Sequence, residues 1–326
     1  MSTVADDRRA TVAPGRTGAG LVFAVVSATS FGLSGPLARG LMDSGWTAGA
    51  AVAVRIALAA AVLVPPALVS LGGRWWLLRR NAGTILLYGL LAVAGAQFAY
   101  FQAVSTMAVA VALLIEYTAP VAVIGWLWLR HSQRPGRRTL SGAAVAAVGL
   151  VLVLDVLSGA SVSTAGVLWA LGAMTGAATY FVISADHGNG LPPLVLAAGG
   201  LVTGAVVLGA LGAVGLVPMH ATTRDVTYAD HTVAWWLPLL VLGLVTAAVS
   251  YTTGIAAGRR LGSRLASFVA LLEVLAALVF AWLLLGQLPD LLQLAGGVVV
   301  LAGVVLVKLG EPRVADEPVE LPRVDN

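Results

Sequence analysis

The sequence predicts an all-α integral membrane protein of ten transmembrane helices, arranged as two inverted five-helix repeats. Three observations carry this expectation. The composition is apolar, ten apolar runs are long enough to span a bilayer, and blocks of the first half recur in the second.

Of 326 residues, 59% are hydrophobic and only 10% charged, with a mean hydropathy of +0.93. A soluble domain carries about 25% charged residues, so lipid is the solvent for most of this chain. The 38 glycines suit helices that pack backbone to backbone. With no cysteine, disulfides, thiolate catalysis and cysteine-based zinc sites are excluded. His131, His187, His220 and His231 are scattered between apolar runs, without metal-ligand spacing. No metal or cofactor is therefore expected. The pI of 9.8 comes from arginines between apolar runs, a pattern of membrane orientation rather than of a nucleic-acid partner.

A spanning helix needs about 20 mostly apolar residues. The candidates are 18–38, 47–70, 82–103, 106–129, 139–155, 163–185, 190–216, 233–256, 263–285 and 290–308. A short polar break at Ser105 and Thr106 makes the third and fourth a tight hairpin. The polar start "MSTVADDRRATVAPGR" followed by an apolar run mimics a signal peptide; the run is long enough to span and no small-residue cleavage site follows it, so it reads as the first span. Residues 1–17 and the acidic, proline-rich 310–326 read as disordered cytoplasmic tails. With the N-terminus inside, sixteen Arg and Lys residues fall inside and two, Arg39 and Arg224, outside. Both termini are then cytoplasmic. Trp46, Trp75, Trp76, Trp126, Trp128, Trp235, Trp236 and Trp282 lie near span ends and read as interface anchors.

The halves echo each other. "GLVFAVVSATSFG" from Gly20 resembles "GVLWALGAMTGAA" from Gly166, and "ALLIE" ending at Glu116 resembles "VALLE" ending at Glu273. "GAAVAAVGLVLV" from Gly142 resembles "GGVVVLAGVVLV" from Gly296, with glycines seven apart in both. Offsets of 146, 157 and 154 residues point to one duplication, giving repeats at 18–158 and 159–309. Five spans per half is odd, so the second half crosses the membrane in the opposite sense. Inverted repeats are the architecture of many secondary transporters, with substrate bound near the midplane.

Glu116 and Glu273 each lie about ten residues into a span, at related positions. A charge at a helix centre costs about 2.5–3.5 kcal/mol on insertion scales and normally faces a bundle interior or a wet cavity. Pro120 has no N–H to donate to the carbonyl of Glu116, so a kink is expected there. Ala277 holds the matching place in the ninth span, so the two glutamates are not equivalent. Each can bind a proton or cation, recognise a substrate amine, or fix helix packing. Arg55, the one cation away from the ends of a span, is either their partner or an anchor whose guanidinium snorkels outward. Gln97 and Tyr100 share a face of the third span. Tyr117, Tyr180 and Tyr251 could line the same cavity, and Pro36 interrupts the first span.

These stretches resemble the EamA-type members of the drug/metabolite transporter superfamily. The resemblance covers residues 18 to 308 and rests on "FGLSGPLARG", "AAVAVRIALAAAVLVPP", "LLIEYTAPVAVIGWLWLR", "TYFVIS" and "ALLEVLAALVFAWLLLGQLP". It implies an inner-membrane carrier, often an exporter of amino acids, other metabolites or drugs, working as a monomer or homodimer on a small-molecule substrate. Two features depart from the family pattern. Glu273 is followed by Val274 where members often have proline, and Arg130 and Gln287 stand where members often place further glutamates. No phosphate loop for a primary pump is present, and no convergent catalytic cluster for an integral membrane enzyme. A lipid-linked or nucleotide-sugar translocator remains the alternative carrier.

Reporter tags on the two termini should both report the cytoplasm. Tags on opposite sides would make the number of crossings odd and remove the paired-repeat architecture.

Overall fold

A computed structural model of the chain describes residues 15–104, 106–107, 109–154, 162–186, 188–229 and 231–310. The tail segments 1–14 and 311–326, His187 and Ser105 lie outside the described residues. Span 1 is Gly15–Gly32 continued by Ser34–Asp43, with Pro36 in the first turn of the second piece. Span 2 is Ala48–Leu71. Span 3 joins Ala82–Leu87, Tyr88–Gly95 and Ala96–Val104. Span 4 joins Val109–Glu116 and Ala119–His131, and span 5 is Arg137–Val153. Spans 6 and 7 are Thr164–Ala185 and Pro193–Ala213. Span 8 runs from Trp236 through Leu244–Val249 to a break at Gly262. Span 9 is 263–269 followed by Leu272–Leu285, and span 10 is Leu291–Gly310.

Among the described residues, eight helices are long and apolar enough to cross a membrane. Span 5, of 17 residues, and the Leu272–Leu285 piece, of 14, are shorter. Spans 8 and 9 meet differently from the expected 233–256 and 263–285. The helix continues past residue 256 and turns only at Gly262, whose φ of 77° and ψ of 163° suit a residue without Cβ.

The repeat is visible in irregularities as well as in helix number. Span 3 and its counterpart span 8 each contain a stretch of π-helix in mid-span, Tyr88–Gly95 and Leu244–Val249. Widening the hydrogen-bonded turn from i−4 to i−5 leaves a carbonyl free for another partner. Span 4 and its counterpart span 9 are each broken beside their glutamate. The packing crosses between halves: span 1 lies against spans 8 and 9, span 6 against spans 3 and 4, span 2 against span 7, and span 5 against span 10.

Spans 5 and 10 show why glycines recur seven residues apart. A Cβ on Gly149 would stand 2.5 Å from the Val300 nitrogen and 2.8 Å from the Gly296 carbonyl. The repeat-related contact is the same: a Cβ on Gly142 would meet the Gly303 carbonyl at 2.8 Å. Each glycine pair lets two backbones touch, which is how helices associate where lipid removes the hydrophobic driving force.

One region departs from an all-helical chain. Between spans 7 and 8, Val226–Tyr228 pairs antiparallel with His231–Val233. This hairpin and the loop before it cap the ends of spans 1 and 2. The Tyr228 hydroxyl donates to the Leu37 carbonyl at 2.8 Å, and Thr47 Oγ1 to the Pro218 carbonyl at 2.8 Å. Trp46 Nε1 donates to the Thr222 carbonyl at 2.8 Å. Trp46 is therefore not the interface anchor expected: it is 7% exposed and stacks on Trp235 at 6.3 Å beneath the cap. Trp75, Trp76, Trp126, Trp128, Trp236 and Trp282 do present exposed rings near helix ends.

Gly149→Leu should lower the thermal stability of the detergent-solubilised protein by about 1–3 kcal/mol, the usual range for overpacking. Gly209→Leu, at an exposed position with nothing within 4 Å of the new Cβ, should stay within about 0.5 kcal/mol. Equal melting of both variants would show that the span 5–span 10 seam is not tight.

Candidate functional site

Span 4 supplies the first carboxylate. Pro120 cannot donate to Glu116, and the helix stops at Glu116, turns through Tyr117 and Thr118, and restarts at Ala119. The Thr118 hydroxyl donates to the Ile115 carbonyl at 2.6 Å and holds the turn. In span 9 the turn at Ala270 and Leu271 precedes the glutamate, so Glu273 falls in the first turn of Leu272–Leu285. The two carboxylates thus sit on opposite kinds of helix end. A helix N-terminus stabilises negative charge and a C-terminus does not.

Both side chains are half-buried. Glu273 is an electrostatic neighbour of Glu116. The Tyr117 hydroxyl donates to Glu273 Oε1 at 3.4 Å, a long bond. It links span 4 of one repeat to span 9 of the other. Tyr100 is a further electrostatic neighbour of Glu116 and packs with Met107, Val111 and Ala170. Span 1 closes this side without a side chain: a Cβ on Gly32 would lie 2.6 Å from the Glu273 carbonyl oxygen and 2.7 Å from Ala276 Cβ. A groove of about 300 Å³ between Thr29 and the Leu272–Phe280 face of span 9 runs along the same contact.

Arg55 forms the second centre. It is 6% exposed, so it does not snorkel. Nor does it make an ion pair with either glutamate within 4.0 Å; among the described residues the ion pair present is Arg39–Asp43, at 3.0 Å. Instead Arg55 Nη2 donates to the Thr246 carbonyl at 2.7 Å, inside the π-helical stretch of span 8. Its guanidinium stacks over Phe31, 4.7 Å from the ring centroid. Glu273 and Tyr251 are its electrostatic neighbours at longer range. Tyr251 lies 5.7 Å from both Phe31 and Tyr180 by ring centroid. The missing Cβ of Gly254 makes room for the Tyr180 hydroxyl and Ser27 Oγ.

Of the residues singled out in sequence, Glu116, Glu273, Tyr117 and Tyr100 come together, and Arg55, Tyr180 and Tyr251 form an adjoining aromatic group. Gln97 is half-buried on the turn before Tyr100 and makes no hydrogen bond among the described residues. Sequence reading missed Phe31, the fully buried Tyr88, whose ring is 5.9 Å from that of Tyr180, and a serine pair. Ser27 Oγ donates to the Ser250 carbonyl at 2.9 Å, and Ser250 Oγ donates back to the Ser27 carbonyl at 3.0 Å. Polar residues inside apolar spans were the available signal for the serines. Phe31 carried none, since an aromatic in lipid is unremarkable.

This fold and this arrangement define a multi-pass integral membrane protein whose two repeats enclose polar groups at their junction. The model of the EamA-like transporter family matches residues 18–155 and again 164–309, and the chain belongs to that family. It is a family of transporters, not of enzymes. No curated protein matches. Solved structures do, among them one described only as a crystal structure of a protein, with a TM-score of 0.69 and 19% identity. That match covers 90% of this chain and 97% of the other, and at that identity it shows the fold alone.

Arg55→Met should cost about 1–3 kcal/mol of thermal stability, because the Thr246 carbonyl loses its donor in a buried place. Arg55→Lys should recover only part, since an ammonium lacks the planar face that lies on Phe31. Wild-type melting of Arg55→Met would remove Arg55 as the link between spans 2 and 8.

Proposed function

We propose that the protein is a secondary carrier that exports small metabolites, amino acids or drugs across the inner membrane of a bacterium by alternating access. In this reading both termini are cytoplasmic, as the distribution of arginines supports. The repeats of residues 18–158 and 159–309 move against one another around a pocket that holds Glu116 and Glu273. A single chain supplies the whole pocket.

The observation that carries the reading is that Glu116 and Glu273, from related helices, are electrostatic neighbours, with the Tyr117 hydroxyl of the first repeat donating to Glu273 of the second. Two ionised carboxylates beside one guanidinium leave the pocket one positive charge short. A proton or a substrate ammonium can supply that charge, and both together overshoot. Occupancy by one then disfavours the other, which is the condition for exchanging them across the membrane. Gln97, Tyr100, Tyr180 and Tyr251 complete the lining, and the breaks at Pro120 and Pro36 supply the bends.

Glu116→Gln should lower solute counterflow in proteoliposomes by about tenfold or more, equivalent to about 1.4 kcal/mol. Its yield, insertion and melting should match wild type. Glu273→Gln should impair counterflow as well. Full counterflow by Glu116→Gln at any pH between about 6 and about 8 would make that carboxylate dispensable.

A further inference from the structure

The four spans around the polar centre are closed at one end by an apolar plug. Phe31 and Gly32 of span 1, Arg55 of span 2, Thr246 of span 8 and Glu273 of span 9 meet at the junction. Toward the hairpin end of the same spans, Leu37, Leu41, Ala51 and Leu242 are buried in one cluster with Val226 and Tyr228 of the hairpin. Leu284 and Leu285 of span 9 pack against it. At the other end lies a cavity of about 560 Å³, where the ends of spans 4 and 6 meet the connection between spans 8 and 9 and where Ser263 forms part of the wall. The bundle is sealed at one end and hollow at the other.

The seal is made between the repeats. Residues 214–235 come from the second repeat and bond to spans 1 and 2 of the first. The Tyr228 hydroxyl holds the Leu37 carbonyl, and Trp46 Nε1 holds the Thr222 carbonyl. Thr47 is tied twice to His220: its N–H donates to the His220 carbonyl at 2.9 Å, and its Oγ1 accepts the His220 N–H at 2.9 Å. Gly40 lacks the Cβ that would strike the Tyr228 ring. These groups lie at span ends, where water can replace each partner once the contact opens. Parting them costs less than parting the polar groups at the midplane.

The repeat shows the seal to be an addition. The counterpart of residues 214–235 is the connection between spans 2 and 3, residues 72–81, which is built on the short helix Trp76–Arg80. Joining two such spans does not require a hairpin.

We propose that residues 214–235 form the outer gate of the carrier, with Tyr228 and Trp46 as its latch. The gate rests on the carrier reading, in which this end faces outward. Opening the junction to the outside must part the hairpin and its plug from spans 1 and 2, while the glycine seam of spans 5 and 10 keeps the repeats together. Outer opening and inner closure are halves of one movement. Weakening the latch therefore shifts the population toward the state whose inner cavity is shut.

Thiol labelling of the full chain in nanodiscs tests the latch without any cargo, because the protein has no cysteine of its own. Leu37→Cys reports on the plug and Ser263→Cys on the cavity; both positions are buried. With a charged maleimide, Tyr228→Phe should speed labelling of Leu37→Cys by about three- to tenfold, the shift expected from one hydrogen bond. Trp46→Phe should act in the same direction. Labelling of Ser263→Cys should hold or fall. Unchanged labelling of Leu37→Cys in both variants overturns the latch. So does faster labelling at both reporters, which is general loosening rather than gating. A Thr47→Cys, His220→Cys pair then tests the gate in proteoliposomes. Closing its disulfide should lower counterflow by about tenfold or more, and reduction should restore it. Full counterflow with the disulfide closed would make the hairpin a fixed cap and overturn the gate. Counterflow absent from the wild type would overturn the carrier reading instead, and labelling decides the latch on its own.

Discussion

At the middle of a bilayer a polar group finds no water, and that constraint organises the whole junction between the repeats. Several of the polar groups there are satisfied across the boundary between the repeats. Arg55 of the first repeat reaches a carbonyl of the second. Ser27 and Ser250 exchange hydrogen bonds across the same boundary. Tyr117 of the first repeat meets Glu273 of the second. The π-helical stretches belong to this scheme. They free carbonyls in mid-span, and the one at Thr246 is the acceptor that keeps Arg55 buried without a carboxylate partner. Separating the repeats would leave these groups facing hydrocarbon, so the chain's two halves stabilise each other through polar contacts as much as through packing.

Packing does the remaining work where polarity is absent. Spans 5 and 10 touch through glycines whose related pairs make related contacts. That seam is rigid by construction, because backbone against backbone has no side chain to readjust. Spans 1 and 9 touch in a similar way at Gly32, but beside Glu273 and the broken turn at Ala270 and Leu271. A tight contact next to an interrupted helix can shift without losing many backbone hydrogen bonds. The stiff seam and the interrupted helices therefore divide the bundle into a part that holds and a part able to move.

Much of this was legible in the sequence, for identifiable reasons. Helix number and the repeat follow from hydropathy and from blocks such as "ALLIE" and "VALLE". The prominence of Glu116 and Glu273 follows from the cost of a carboxylate in lipid. Arg55 shows the limit of that reasoning. Its burial was one of two options, but its partner was a backbone carbonyl, and backbone groups leave no trace in composition. The π-helices were invisible for the same reason: "YGLLAVAG" and "LVTAAV" have ordinary helical propensity, and only tertiary contacts select the wider turn. The hairpin over Trp46 was missed because its strands are three residues each and its bonds run to spans 1 and 2, far away in sequence.

The departures from symmetry bear on direction. A protein built from two copies in opposite senses would, if the copies were identical, work equally in both directions. Here the copies differ at three levels. Glu116 ends a helix and Glu273 lies in the first turn of one. One end of the bundle is covered by a hydrogen-bonded hairpin that buries Tyr228 and Trp46. The other end opens into a cavity of about 560 Å³ lined by Arg130, His131, Asp186 and Arg264, where the repeat-related positions of Arg130 and Arg264 are Gln287 and Met107. Each difference sits on the pseudo-symmetric frame without disturbing it, since the seam of spans 5 and 10 keeps its paired contacts throughout. Symmetry provides two matched shapes for the carrier, and these local substitutions make the two faces chemically distinct. Direction of net transport under a gradient is set by thermodynamics, but which solute each face recognises first is set by such side chains.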